Sequence, residues 1–235
     1  PKMTGSEKIA VLSGRLTRAR FARLSRALDF RTRKIILVLE DVFQPHNAAA
    51  VLRNCDAFGL QEVHIIENRY RAKISSNVDT GVSKWMDIIR HTSSLARPSK
   101  VGMGREKLLA EHLENTRAAL SEIKSRGYAL AASTLKDGAG SIDDVPADIP
   151  VALMIGSEFD GLSETAHNMA DFMFSMPMLG FAQSFNLSVF SALCLSNLSR
   201  RMRCSGDSWK LTSKERELLM LKWLEISTGD SRNLE

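Results

Sequence analysis

Short apolar runs alternate with helix-length amphipathic stretches along most of this chain, and that alternation limits the folds open to it. IILVLEDV (35–42), EVHII (62–66), YALAAST (128–134), PVALMIG (150–156) and FMFSM (172–176) each have the length and composition of a strand. GVSKWMDIIRHTS (81–93) adds a short turn and a further strand. AAAVLRNCDAFG (48–59), EKLLAEHLENTRAALSEIKSRG (106–127), SETAHNMA (163–170) and a stretch from about Ser184 to Arg201 read as helices. Gly59 and Gly127 serve as helix stops. Strands that alternate with helices predict an α/β fold, a largely parallel sheet with helices on both faces. TSKERELLMLKWLEIS (212–227) is a terminal helix behind the polar linker CSGDS. The expected division is a basic helical extension over 1–34, a central domain over 35–205 and a C-terminal helix over 206–235. SSLARPSKVGMG (93–104) is expected to be a mobile loop.

At 235 residues, 44% hydrophobic and 25% charged, the chain can bury a full core. No apolar run reaches the length of a membrane-spanning helix, and the first thirty residues hold no signal-peptide core. Cys55, Cys194 and Cys204 are odd in number and widely spaced. They suggest neither a disulfide framework nor a zinc site, which points to a reducing cytosol and a cytoplasmic location.

The net charge of +5 is unevenly placed. Arg15, Arg18, Arg20, Arg23, Arg26, Arg31, Arg33 and Lys34 face a single acid, Asp29, while Phe21, Leu24 and Leu28 recur at helical spacing. An amphipathic helix with a basic face is the electrostatic footprint expected for a polyanion, although a lone charge run is more often just a solvated face.

In a parallel sheet, ligands bind beyond the carboxyl ends of the strands. Polar residues gather at three such ends. QPHN follows the first strand, with Asn47 suited to cap a helix and Arg53 in its second turn. GSEFDG follows the 150–156 strand and puts Glu158 in a glycine-flanked loop. PMLGFAQSFN follows the 172–176 strand and puts Ser184 and Asn186 at another helix start. Each residue alone has a plain explanation as a cap, a solvated acid or a surface cation; their convergence on one sheet edge does not. His46 reads as a turn residue and His64 as a packed strand histidine.

Several enzyme classes fall away. EDVFQPHN contains no glycine, which excludes the dinucleotide fingerprint and the glycine-rich methyltransferase loop. GSEFDG has Glu158 where a hydrolase elbow needs serine. GMG (102–104) is too short for a phosphate loop, and no His/Cys/Asp cluster has metal spacing.

PHNAAAVLRNCDAFG, IGSEFDGLS and MPMLGFAQSFNLSVFSA resemble, in order and spacing, the three motifs of the SpoU/TrmH family of RNA ribose 2′-O-methyltransferases, of the SPOUT class. The likeness runs from about Ile35 to Arg203, and the flanking helices look most like the branch that methylates guanosine 18 in the tRNA D-loop. The resemblance implies a C-terminal trefoil knot, a rare exception to chain topology. It implies S-adenosyl-L-methionine as cofactor, held by Ser133, Thr134, Gly156, Glu158, Met176, Met178, Gly180 and Leu187, with Pro177 and Gly180 shaping the loop. It implies Arg53, Asn47, Glu158, Ser184 and Asn186 as catalytic residues for in-line attack of a ribose 2′-oxygen on the cofactor's methyl group.

By likeness Arg53 is the base; a guanidinium is normally fixed as a cation, so electrostatic support of the phosphate and the developing alkoxide is the plainer role. The implied partner is tRNA, contacted by Arg15, Arg18, Arg20, Arg23, Arg26, Arg200 and Arg201. A ribosomal RNA target with the same chemistry, or an inactive RNA-binding relative, are the alternatives. The resemblance also implies a homodimer through the knot region, with 163–170 and 184–199 as the contact faces. Phe185 and Phe190 depart from the aliphatic and small residues that the family usually carries there.

Overall fold

The computed structural model describes residues 3–72, 81–93 and 105–229, so all but Ser93 of the expected 93–104 loop lies outside the described residues. Seven strands form one sheet: β1 (Ile35–Glu40), β2 (Glu62–Glu67), β3 (Asp87–Thr92), β4 (Ala129–Ser133), β5 (Gly140–Ser141), β6 (Val151–Ile155) and β7 (Phe172–Ser175). Their order is β3-β2-β1-β6-β4-β7-β5, and every pairing is parallel. The helices are α1 (Gly5–Ser13), α2 (Arg18–Asp29), α3 (Pro45–Ala57), α4 (Arg105–Ser125), α5 (Glu164–Met169), α6 (Leu187–Cys204) and α7 (Ser213–Thr228).

The continuous apolar strand runs follow from burial on both faces. Side chains alternate across a strand, so Ile35, Leu37 and Leu39 of β1 join Val151, Leu153 and Ile155 of β6 on one face. There they pack on Val51 and Leu52 of α3 and Leu195 and Leu198 of α6. Ile36, Val38, Ala152 and Met154 face the other way, onto Leu120 and Ile123 of α4 and Ala166 of α5.

The basic stretch is not one helix. α2, capped by Thr17, ends at Asp29, and the chain then turns its cations inward. Arg31 is buried, donates to Leu60 O at 2.8 Å and pairs with Asp56. Arg33 pairs with Glu62 at 2.6 Å and with Asp87, and Lys34 donates to Ser208 Oγ at 2.6 Å. Arg15, Arg18, Arg23 and Arg26 remain exposed, while half-buried Arg20 lies 5.3 Å from the centre of the Trp85 ring. A helix absent from the sequence reading, α1, is capped by Thr4 and Glu7 bonding reciprocally. Leu12, Leu24 and Leu28 of the N-terminal helices bury Leu219, Met220, Trp223 and Leu224 of α7, so the two flanking segments form one packed unit.

Toward the β3 edge, His64 is a packed strand histidine. Its Nε2 meets Glu62 Oε1 at 2.7 Å and its ring stacks on His91 at 5.1 Å. Burial pushes the Glu62 carboxyl up, but hydrogen bonds from His64 and Arg126 outweigh it and hold the pKa at about 2. A carboxylate depressed on folding contributes stability that is present above its unfolded pKa and is lost as pH falls through the folded one. Urea midpoints are therefore expected to fall between pH 4.5 and 2, with about 2 kcal/mol of that loss due to Glu62. Glu62→Gln should flatten this part of the profile; an unchanged profile would sink the assignment.

Candidate active site

A cleft of about 720 Å³ opens at the carboxyl ends of β1, β4, β6 and β7, where the three polar segments converge. Asn47 does not cap α3. Gln44 holds that position, Pro45 is the first helical residue, and Asn47 lies three residues beyond the cap. Its amide is thereby free to bridge segments. Nδ2 donates to Gln44 Oε1 at 3.1 Å and to Glu158 Oε1 at 2.5 Å, and Oδ1 accepts from Asn186 Nδ2 at 3.2 Å. Asn186 does cap its helix, accepting from Ser188 N at 2.9 Å. An Asn186–Asn47–Glu158 chain thus ties three loops together.

The other carboxylate oxygen, Glu158 Oε2, is buried without a hydrogen-bond partner. A buried acceptor left unpaired is costly and marks a place for a donor from elsewhere. The Glu158 loop closes on itself through Ser157 N to Gly161 O at 3.1 Å and Gly161 N to Ser157 O at 3.0 Å. Gly161 takes a φ of 67°, and Gly156 lies so close beneath that a Cβ would sit 2.0 Å from Gly161 C. At the end of β4, Thr134 N donates to Phe174 O at 2.9 Å. Ile155, Leu162, Met176, Met178, Leu187 and Phe190 supply the apolar lining. Phe190 stacks on Phe174 at 6.2 Å, so this departure from the family pattern is a packing substitution, whereas Phe185 stands half open at the cleft wall.

The cleft thus gathers Asn47, Ser133, Thr134, Gly156, Glu158, Met176, Met178, Ser184, Asn186 and Leu187. It does not gather Gly180, around which a Cβ would meet nothing within 4 Å, nor Arg53, which lies on the exposed side of α3. Next to Arg53, Asn54 fastens α3 to α6 by donating to Ser188 O at 2.7 Å and Ser191 Oγ at 3.0 Å. Gln44, Lys136 and Asp160 also line the cleft and were missed; following a strand end was their only signal.

Of the basic residues expected on RNA, Arg200 is exposed. Arg201 instead donates to Ile142 O at 3.0 Å and Val145 O at 2.6 Å, which ties α6 to the turn after β5. Arg203 lies over Trp209 at 4.1 Å and donates to Phe30 O and Phe58 O. α5 buries Ala166 and Thr165, and its outward residues Glu164, His167 and Asn168 are polar, so it presents no apolar outer face. α6 does, through Val189 and Leu193, and in the preceding loop Leu179 and Phe181 are fully exposed. Among the described residues, no group of His, Cys, Asp and Glu could hold a metal ion. Nor is any helix among them long and apolar enough to cross a membrane.

The profile of the SpoU rRNA Methylase family matches residues 34–97 and 88–196. The tRNA (guanosine(18)-2′-O)-methyltransferase of Borreliella burgdorferi is 30% identical over 217 residues, covering 92% of this chain and 89% of its own. The A. aeolicus TrmH/SpoU tRNA modifying enzyme superposes with a TM-score of 0.70 at 27% identity, over 92% of this chain and 98% of that one. The SpoU methyltransferase AviRb from Streptomyces viridochromogenes, solved with AdoMet, shares the fold with a TM-score of 0.54 at 23% identity, over 78% of this chain and 65% of that one. With its motifs on one cleft and most of its length aligned to such enzymes, this chain belongs to the SpoU rRNA methylase family.

Proposed function

We propose that this protein transfers a methyl group from S-adenosylmethionine to a ribose 2′-oxygen of structured RNA, guanosine 18 of tRNA being the favoured target. The observation that carries the reading is the Asn186–Asn47–Glu158 chain, which joins the three motif loops at the mouth of a half-apolar cleft. The cleft suits the cofactor: the methionines, Ile155 and Leu187 offer apolar walls, and buried Glu158 Oε2 lacks a donor. Ser133, Thr134, Gly156, Glu158, Met176, Met178 and Leu187 would hold it, and when bound it supplies an electrophilic methyl group.

A 2′-hydroxyl is a weak nucleophile at neutral pH, so placement of the ribose carries much of the rate. Asn47, Asn186 and Ser184 orient the sugar, and Arg53 holds the adjoining phosphate and supports the developing alkoxide. Exposed Arg15, Arg18, Arg23, Arg26 and Arg200 draw in the RNA, giving salt-sensitive binding. The loop after β7 is read as a trefoil knot, and the Val189 and Leu193 face of α6 as the contact of a cytoplasmic homodimer that brings Arg residues of one subunit to the other's site. In this reading the flanking helical segments, 1–34 and 206–235, serve a methyltransferase domain spanning 35–205.

The test is tritiated methyl transfer from S-adenosylmethionine to unmodified tRNA and ribosomal RNA transcripts, with nuclease mapping of the product. Label on the D-loop guanosine is the expected result. Label only on ribosomal RNA keeps the chemistry and replaces the substrate. A purified protein that binds no S-adenosylmethionine would overturn the reading in favour of an inactive RNA-binding relative.

A further inference from the structure

Beside the cleft, at the carboxyl ends of β1 and β2, two aromatic rings stand in the open. Phe43 is 50% exposed and Tyr70 is 38% exposed, and they meet edge to face with centroids 4.8 Å apart. The Arg69 guanidinium lies 5.7 Å from the centre of the Tyr70 ring, and Arg71 next to it is exposed. The proposed function uses none of these four residues.

The pair is rigidly mounted. Asp41 adopts a left-handed backbone, φ 52°, at the end of β1. Its carboxylate accepts from Asn68 N at 2.8 Å, Arg69 N at 2.9 Å and Arg69 Nε at 3.1 Å, which locks the loop bearing Tyr70 to the loop bearing Phe43. The mount is continuous with the cleft. Phe43 directly precedes Gln44 of the lining, and Arg69 Nη1 donates to Asp160 of the Glu158 loop at 2.7 Å.

An exposed aromatic face flanked by guanidinium groups suits an unstacked nucleobase with its phosphate, because rings stack on any base and cations answer the backbone. We propose that Phe43 and Tyr70 form a stacking platform for a nucleotide flanking the methylated one. Exposed Arg71 attends its phosphate, while Arg69, held by Asp41 and Asp160, fixes the Tyr70 loop. The platform holds the RNA strand in register while the target ribose enters the cleft. This rests on the reading of the cleft as an RNA-modifying site, and it adds a positioning site outside the methyltransferase motifs.

The test measures affinity for a tRNA transcript by fluorescence anisotropy, and KM and kcat for methyl transfer, in Phe43→Ala, Tyr70→Ala and Tyr70→Phe. Each alanine variant should raise Kd and KM about tenfold, with kcat at saturating RNA and S-adenosylmethionine affinity unchanged. Tyr70→Phe keeps the ring and should stay within about twofold of wild type. Unchanged Kd and KM in both alanine variants would overturn the platform. So would a Tyr70→Phe loss equal to that of alanine, or a change in sedimentation mass that marks the patch as a subunit contact. A wild type that binds RNA but transfers no methyl group fails the proposed function alone, and the Kd arm still decides the platform; a wild type that binds no RNA defeats both.

Discussion

Alanine at Gly156 is expected to abolish methyl transfer and lower S-adenosylmethionine affinity by at least about a hundredfold. The added Cβ would sit 2.0 Å from Gly161 C, 2.2 Å from Gly161 O and 2.2 Å from Leu162 N. All three are backbone atoms, so no side chain can swing aside to relieve the clash. The 157–161 turn must move bodily, breaking the paired Ser157–Gly161 hydrogen bonds and withdrawing Glu158 from Asn47. Overpacking of this kind costs about 1–3 kcal/mol, so the variant should still fold, with a lowered melting temperature. Gly180→Ala is the matched control, since nothing lies within 4 Å of the atom it would add. Calorimetric titration of both variants decides the matter. Wild-type cofactor affinity in Gly156→Ala would show that the turn is not part of the binding site.

The contrast between these glycines also shows what a sequence can and cannot disclose. Both stand in recognisable motifs, yet only Gly156 is pressed against backbone, by the turn of its own loop, whose shape the motif does not spell out. The sheet was readable because β1, β6 and β4 are buried on both faces and so carry unbroken apolar runs. β5, two residues long, has no periodicity to read. The basic stretch misled for a physical reason. Charge counting treats Arg26 and Arg31 alike, but Arg31 has a carboxylate from Asp56 and a carbonyl from Leu60 waiting for it, and only the fold brings those together. Arg201 is the same case, its partners being carbonyls at Ile142 and Val145. Two misses had visible signals. Thr4 and Glu7 have capping-box spacing, and Pro45 favours a first-turn position, which moves the cap back to Gln44 and releases Asn47 for the site.

Arg53→Ala is expected to lower kcat by at least about a hundredfold while leaving S-adenosylmethionine affinity unchanged. The two halves of that expectation come from one observation: Arg53 stands on the exposed side of α3, outside the cleft lining, while Asn54 beside it clamps α3 to α6. Under the proposed function a residue so placed faces incoming RNA rather than the cofactor, and Asn54 fastens its helix to α6. Its guanidinium offers a rigid fork of donors that can grip a phosphate in two bonds. Lysine keeps the charge but loses the fork, so Arg53→Lys should recover little of the lost turnover. Single-turnover methyl transfer at saturating RNA, paired with cofactor titration, separates the possibilities. Arg53→Lys with most of the wild-type rate would sink the bidentate role and leave only a point charge. Loss of cofactor binding in Arg53→Ala would place the side chain inside the cleft instead. Intact cofactor binding with collapsed turnover is the pattern that a phosphate-holding cation on the RNA side requires.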